Sequence, residues 1–145
     1  MFLDASAIVA ILAGEEDAGY LLAKIEMSEG LKIYSPISLF EAVISLARIV
    51  SISQFGDQVP TPPELIDEVQ EDVAKFLETI GAREVSVSGS LHRNAIEAAR
   101  NYGRVVGHPA RLNFGDCFSY ACAKEYRLPL LFKGDDFSNT DIDAA

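Results

Sequence analysis

Four places in the chain carry acidic side chains in settings that could do chemistry. Asp4 follows the apolar opening Met1-Phe2-Leu3, and Glu41 interrupts an apolar helical pattern. Asp116 stands within Leu112-Asn113-Phe114-Gly115-Asp116-Cys117-Phe118-Ser119-Tyr120-Ala121. Asp135 and Asp136 close the run Leu130-Leu131-Phe132-Lys133-Gly134. Carboxylate oxygens are the natural protein ligands of hard divalent cations, so acids brought to one edge of a fold would suit a cation site. The question is whether the chain delivers them to one place.

Taken singly, each acid has a structural explanation. Asp4 is a favoured residue type for capping the helix that follows it. Asp116, at the third helical position after Asn113, interacts well with a helix dipole. Asp135 and Asp136 suit a turn. Glu41 is the hardest to set aside, because an ionised acid on an apolar face is costly unless paired. A capping box with Ser38 would explain it, but the stronger cap at Ser35 leaves Glu41 deeper in the helix.

The elements that position these acids follow from periodicity. A short strand ending at Asp4 leads into a helix over 5–13 with Ile8, Ile11 and Leu12 on one side. Gly14 to Asp17 breaks it, and a second helix covers 18–27. A second strand is expected over 31–34. Ser35-Pro36 is a helix entry, and the helix over 37–52 is expected to bury Phe40, Val43, Ile44 and Ala47. Residues 54–63 hold three prolines and read as loop. An acidic amphipathic helix spans 64–80, ended by Gly81. A third strand is expected over 83–87, with Val85 and Val87 facing one side, followed by a helix from Ser88 or Ser90 and a loop over 103–109. Asn113 caps the next helix. Leu130 to Phe132 forms a buried strand, and 138–145 reads as a short polar tail. Strands alternating with helices indicate one α/β domain over 1–145 with a mainly parallel sheet, in which binding residues gather beyond the carboxyl ends of the strands.

Composition narrows the function classes. Lys and Arg total 12 against 22 Asp and Glu, a net charge of −10. That balance disfavours non-specific nucleic-acid binding and suits a holder of divalent cations or a basic partner. The average hides a basic strip, Arg93, Arg100, Arg104 and Arg111 with His108, just before the Asp116 motif. Arg93, Arg100 and Arg104, at spacings of seven and four, are expected to share a helix face, either as a solvated surface or as a phosphate contact. The two cysteines, Cys117 and Cys122, are five apart on one helix and suit free buried thiols in a reducing, cytoplasmic setting. No CxxC or His/Cys cluster suggests zinc. No apolar run approaches membrane-spanning length, and no basic region precedes the apolar start, so neither a membrane segment nor a signal peptide is expected.

Together these motifs resemble the PIN-domain family, and within it the VapC toxins of toxin–antitoxin pairs. The resemblance covers nearly the whole chain. It rests on Phe2-Leu3-Asp4-Ala5-Ser6-Ala7, on Glu41, on the Asn113 to Ala121 string, and on Leu131 to Phe137 with Thr140-Asp141. It implies an α/β/α fold and a metal-dependent endoribonuclease, with Mg2+ as cofactor and Mn2+ as a possible substitute. Asp4, Glu41 and Asp116 match the family's acidic triad, with Asp135 or alternatively Asp136 as fourth acid. Ser6 matches a small polar position lining the site, and Asn113 the residue ahead of the third acid. One or two ions held there can polarise a phosphodiester and activate water, so no Ser, Cys or His nucleophile is required.

RNA would approach along Arg93, Arg100 and Arg104, with Arg111 and Lys133. The resemblance also implies a homodimer and a small antitoxin partner. The segment 51–63 could serve as a lid, a dimer contact or an antitoxin groove. Two other readings compete. A phosphatase of the haloacid-dehalogenase type needs a DxD where this chain has Asp4-Ala5-Ser6, and a receiver domain needs an acidic pair and a central Asp that are not present. A non-catalytic module that keeps the fold is the other rival.

Overall fold

Phe2 and Leu3 project to opposite faces of one sheet, as neighbours in a strand must, and the two hydrophobic cores are built on that alternation. The computed structural model describes residues 1–145. In chain order the elements are β1 (Phe2–Leu3), α1 (Ala5–Ala13), α2 (Ala18–Met27), β2 (Ile33–Tyr34), α3 (Pro36–Phe55), α4 (Pro63–Thr79), β3 (Arg83–Glu84), α5 (Leu91–Tyr102), a 3-10 turn (Arg104–Val106), α6 (Phe114–Tyr126) and β4 (Leu130–Leu131). The four strands pair in the order β3-β2-β1-β4 and all run parallel, with Phe2 opposite Ile33 on one side and Leu130 on the other.

Leu3 and Leu131 join the core that packs α1, α2, α3 and α4 onto one face. Phe2, Ile33 and Leu130 join the core under α5 and α6 on the other. This is the α/β/α sandwich expected from alternating strands and helices. The chain passes from β1 outward to β2 and β3, then returns to place β4 on the far side of β1. The strand order therefore reverses between β1 and β4, and a crevice opens beyond their carboxyl ends.

Several expectations need correction. The third strand ends at Glu84, and Arg83 and Glu84 are both exposed at the sheet edge. Helix α3 continues to Phe55, so the following loop is only 56–62, pinned where the Arg48 guanidinium donates to the carbonyls of Asp57 and Val59 at 2.6 and 2.8 Å. Phe40 and Ile44 are exposed, whereas Ala42, Val43, Leu46 and Ala47 are buried. The small residues Ala42 and Ala47 let α3 approach α1 and α6 closely, and Phe40 and Ile44 fall on its outward side. This helix is also long and apolar enough to cross a membrane by length and composition. It carries Glu41 and Arg48, however, and packs against α1, α4 and α6.

The segment 138–145 is docked rather than free. Leu130 N–H donates to the Asp143 carbonyl, Ala145 N–H donates to the Leu130 carbonyl, and Ala144 bridges Leu130 in parallel. Asp141 fixes this arrangement by accepting from Tyr120 Oη (2.5 Å), Tyr102 Oη (3.1 Å) and Lys124 Nζ (2.9 Å).

Those donors, Tyr120 first and then Lys124, hold the Asp141 carboxyl down to about 2. A depressed carboxylate stabilises the fold above its unfolded pKa of about 4, and that contribution disappears as pH falls through about 2. Asp141→Asn should therefore lower stability at pH 7 by no more than about 1 kcal/mol, since the group is largely solvent-exposed. Paired thermal melts should show the difference vanishing near pH 2.

Candidate metal centre

At the end of β1 the chain turns into α1 with Asp4 as N-cap, its Oδ2 accepting from Ser6 N–H at 2.9 Å and from Ser6 Oγ at 2.5 Å. Ser6 Oγ in turn accepts from Lys133 N–H at 3.0 Å, which ties the loop after β4 to the loop after β1. Asp4 is buried, and its other oxygen, Oδ1, has no hydrogen-bond partner. A buried carboxylate oxygen without a donor is expensive to maintain unless something else occupies its lone pairs.

Asp116 is placed by a full capping box. Asn113 Oδ1 accepts from Asp116 N–H at 3.1 Å, and Asp116 Oδ2 accepts from Asn113 N–H at 2.7 Å. The box fixes the carboxylate in the first turn of α6 and engages only one of its oxygens. Glu41 comes from α3. Ser35, not Glu41, is tied to the start of that helix, through Ser38 N–H at 3.1 Å, so Glu41 is free of capping duty. Its carboxylate lies directly over Gly115 in α6.

Asp4, Glu41 and Asp116 line one cleft together with Ser6, Asn113, Lys133 and Asp136. Of the two adjacent acids after β4, Asp136 faces this cleft, whereas Asp135 is not among its lining residues and its carbonyl receives Ser138 N–H in a turn. As they stand, no three acidic, His or Cys side chains are grouped closely enough to hold a metal ion between them. The donors are carboxylates, and Asp4 Oδ1 is an orphaned buried acceptor in their midst. That donor set fits a hard divalent cation that keeps several waters of its own.

Burial first, and then charge crowding, act on these carboxyls. Burial, only partly offset by the Asn113 N–H, pushes Asp116 up to about 7, with Asp4, Asp136 and Glu41 adding repulsion. Burial and then Asp4 raise Glu41 as well. Opposite charge is scarce: Lys133 is the single cation lining the cleft, and its Nζ pairs with Glu15. Glu15 is a lining acid that sequence reasoning missed. It sits in Gly14-Glu15-Glu16-Asp17, whose local pattern marks only a helix end.

The basic residues divide. Arg93 and Arg100 are exposed on α5 and do not line the cleft. Arg104 does not share their helix, because α5 ends at Tyr102 and Gly103 is extended. A Cβ at Gly103 would meet the Ala99 carbonyl at 2.3 Å, so the chain can leave the helix there only through glycine. Arg104 instead borders two grooves beside Asn113 and Phe114. Arg111 is exposed, with φ of 52°. Both cysteines are free and buried.

The chain matches the PIN domain family over residues 1–143. It is 42% identical over 141 residues to a VapC ribonuclease of Rhizobium meliloti, covering 97% of this chain and 98% of that one. It is 39% identical over 142 residues to Ribonuclease VapC42 of Mycobacterium tuberculosis, covering 98% and 96%. Among solved structures, the fold is similar to Mycobacterium tuberculosis VapC20, described as a sarcin-ricin loop cleaving toxin, with a TM-score of 0.66 and 17% identity over 99% of this chain and 97% of that one. It is also similar to a chain of a toxin–antitoxin complex from Klebsiella pneumoniae, with a TM-score of 0.62 and 15% identity over 97% and 92%.

Raised carboxyl pKa values make a stability prediction. The folded pKa of Asp116, about 7, lies above its unfolded value of about 4, so the stability present below pH 4 is lost as pH rises through 7. Asn at this position keeps an acceptor for Asn113 N–H and removes the charge. In chelator-treated protein, Asp116→Asn should melt above the parent at pH 8, with the gap closing toward pH 4.

Proposed function

The chain belongs to the PIN-domain family, with VapC ribonucleases as its relatives, and we propose that it is a divalent-metal-dependent endoribonuclease acting as the toxin of a toxin–antitoxin pair. The observation that carries this reading is the buried, unpartnered Oδ1 of Asp4 in a cleft of carboxylates from four separate parts of the chain. Asp4, Glu41, Asp116 and Asp136 are the residues that would hold Mg2+, or Mn2+ in its place, with Asp136 favoured over Asp135 by its orientation into the cleft. When bound, such an ion supplies Lewis-acid polarisation of the phosphodiester and a lowered pKa for the attacking water.

The protein's own groups set the rest. Ser6 locks one oxygen of Asp4 and leaves the other buried without a partner. The Asn113 box likewise engages one oxygen of Asp116. Lys133, held by Glu15 at the cleft wall, offers a cation to a phosphate oxygen. Arg104 stands beside Asn113 at the neighbouring grooves, where it can meet the RNA backbone; Arg93, Arg100 and Arg111 extend the positive surface farther out.

The antitoxin and homodimer belong to the same proposal. The relatives' names support the ribonuclease assignment, and the toxin–antitoxin neighbour supports the partner. A net charge of −10 suits a partner that places a basic residue in the acidic cleft. A cytoplasmic location accords with the free thiols.

The test is cleavage of a mixed RNA substrate with Mg2+, with Mn2+ and with EDTA. Parent protein should cut only with metal, and Asp4→Asn or Asp116→Asn should reduce the rate by at least ~100-fold, the scale of losing a group that acts in the transition state. Asp136→Asn should impair cleavage more than Asp135→Asn; the reverse order would return the fourth position to Asp135. Cleavage that survives EDTA and Asp116→Asn would rule out the proposed centre.

A further inference from the structure

Of the ten glycines, only Gly103 and Gly115 are crowded. Gly103 is pressed by the backbone of its own helix, but Gly115 is pressed by a side chain from another element. A Cβ built on Gly115 would lie 1.9 Å from Glu41 Oε2, 2.7 Å from its Cδ and 3.0 Å from Oε1. The residue sits in the first turn of α6, between Phe114 and Asp116, and is not among the glycines of positive φ. Helical geometry there does not call for glycine, and glycine is among the poorest helix formers. What glycine provides at this position is space, and Glu41 fills it.

We propose that Gly115 is a positioning residue for the metal centre: its missing side chain is the seat that admits the Glu41 carboxylate to the cleft beside Asp116. The inference rests on the reading of Glu41 as a member of that centre. The physical basis is twofold. Any side chain at 115 must push the carboxylate outward, since an oxygen cannot stay within 2 Å of a methyl carbon. The acid also loses its place at the amino end of α6, where the helix dipole favours negative charge. The strain falls on the far end of a flexible side chain, not on backbone, so the fold can absorb the change while the site cannot.

This makes an unusual pair of expectations for Gly115→Ala. A structural glycine, once replaced, lowers stability, whereas here alanine is the better helix former and the chain should melt no lower than the parent. Mn2+ affinity, measured by calorimetry on chelator-treated protein, should fall by ~10-fold or more, the scale seen when the groups that orient a ligand are lost. A crystal structure of the metal-free Gly115→Ala protein should show the Glu41 carboxylate displaced from its seat. Glu41→Asp shortens the acid by one methylene, so the double variant Gly115→Ala/Glu41→Asp should bind Mn2+ more tightly than Gly115→Ala alone.

Unchanged Mn2+ affinity in Gly115→Ala, or losses from the two substitutions that simply add, would overturn the proposal. Parent protein that binds Mn2+ yet cleaves no RNA would instead sink the nuclease reading, leaving the seat to be judged on affinity and structure. Parent protein that binds no Mn2+ would overturn both.

Discussion

Mutual repulsion among carboxylates is the constraint around which this protein is built. Asp4, Glu41, Asp116 and Asp136 come from a strand end, the body of a helix, a helix start and a loop, and each is drawn toward one crevice. Left to themselves such groups would turn to solvent or take up protons, and the raised pKa of Asp116 and Glu41 records part of that tendency. The surrounding structure therefore holds them mechanically. Ser6 grips one oxygen of Asp4, a reciprocal pair of hydrogen bonds grips Asp116, and Glu41 is held in a tight space above a glycine. The sheet supplies the frame, because the reversal of strand order between β1 and β4 brings the loops after them side by side.

This accounts for what was legible in the sequence and what was not. Acids at element boundaries leave a local mark: Asp4 after an apolar dipeptide and Asp116 three residues after Asn113 both announce a helix start, and both serve as cap residues in the structure. Glu41 was conspicuous as a charge within an apolar pattern. Asp135 and Asp136 could not be separated, since adjacent loop residues share every sequence signal and differ only in the direction the backbone turns them. Glu15 left no mark, because its relation to Lys133 spans 118 positions and exists only after the two loops meet.

The errors in packing have a common cause. Periodicity identifies an apolar stripe but not which part of it a neighbour covers. On α3 the stripe is wide, and close approach to α1 and α6 selects the small residues Ala42 and Ala47 over Phe40 and Ile44. Arg104 followed Arg93 and Arg100 at helical spacing, yet one extended glycine ended the helix before it. The tail over 138–145 is polar by composition and docks through backbone pairing with Leu130, which composition cannot register.

That docked tail bears on how the molecule can associate. A parallel sheet has two open sides, each offering unpaired amide and carbonyl groups to another strand. Here β4 is capped along its outer side by 143–145, and the opposite side ends in β3, two residues long, exposed and bearing one charge of each sign. Strand addition is thereby closed off on one side and weakly invited on the other. The broad apolar surfaces left to solvent lie instead on helices and the turn beside them, at Phe40, Ile96, Val105 and Phe114. A contact made at Phe40 or Phe114 would therefore fall at the rim of the acidic cleft, beside Glu41 and Gly115.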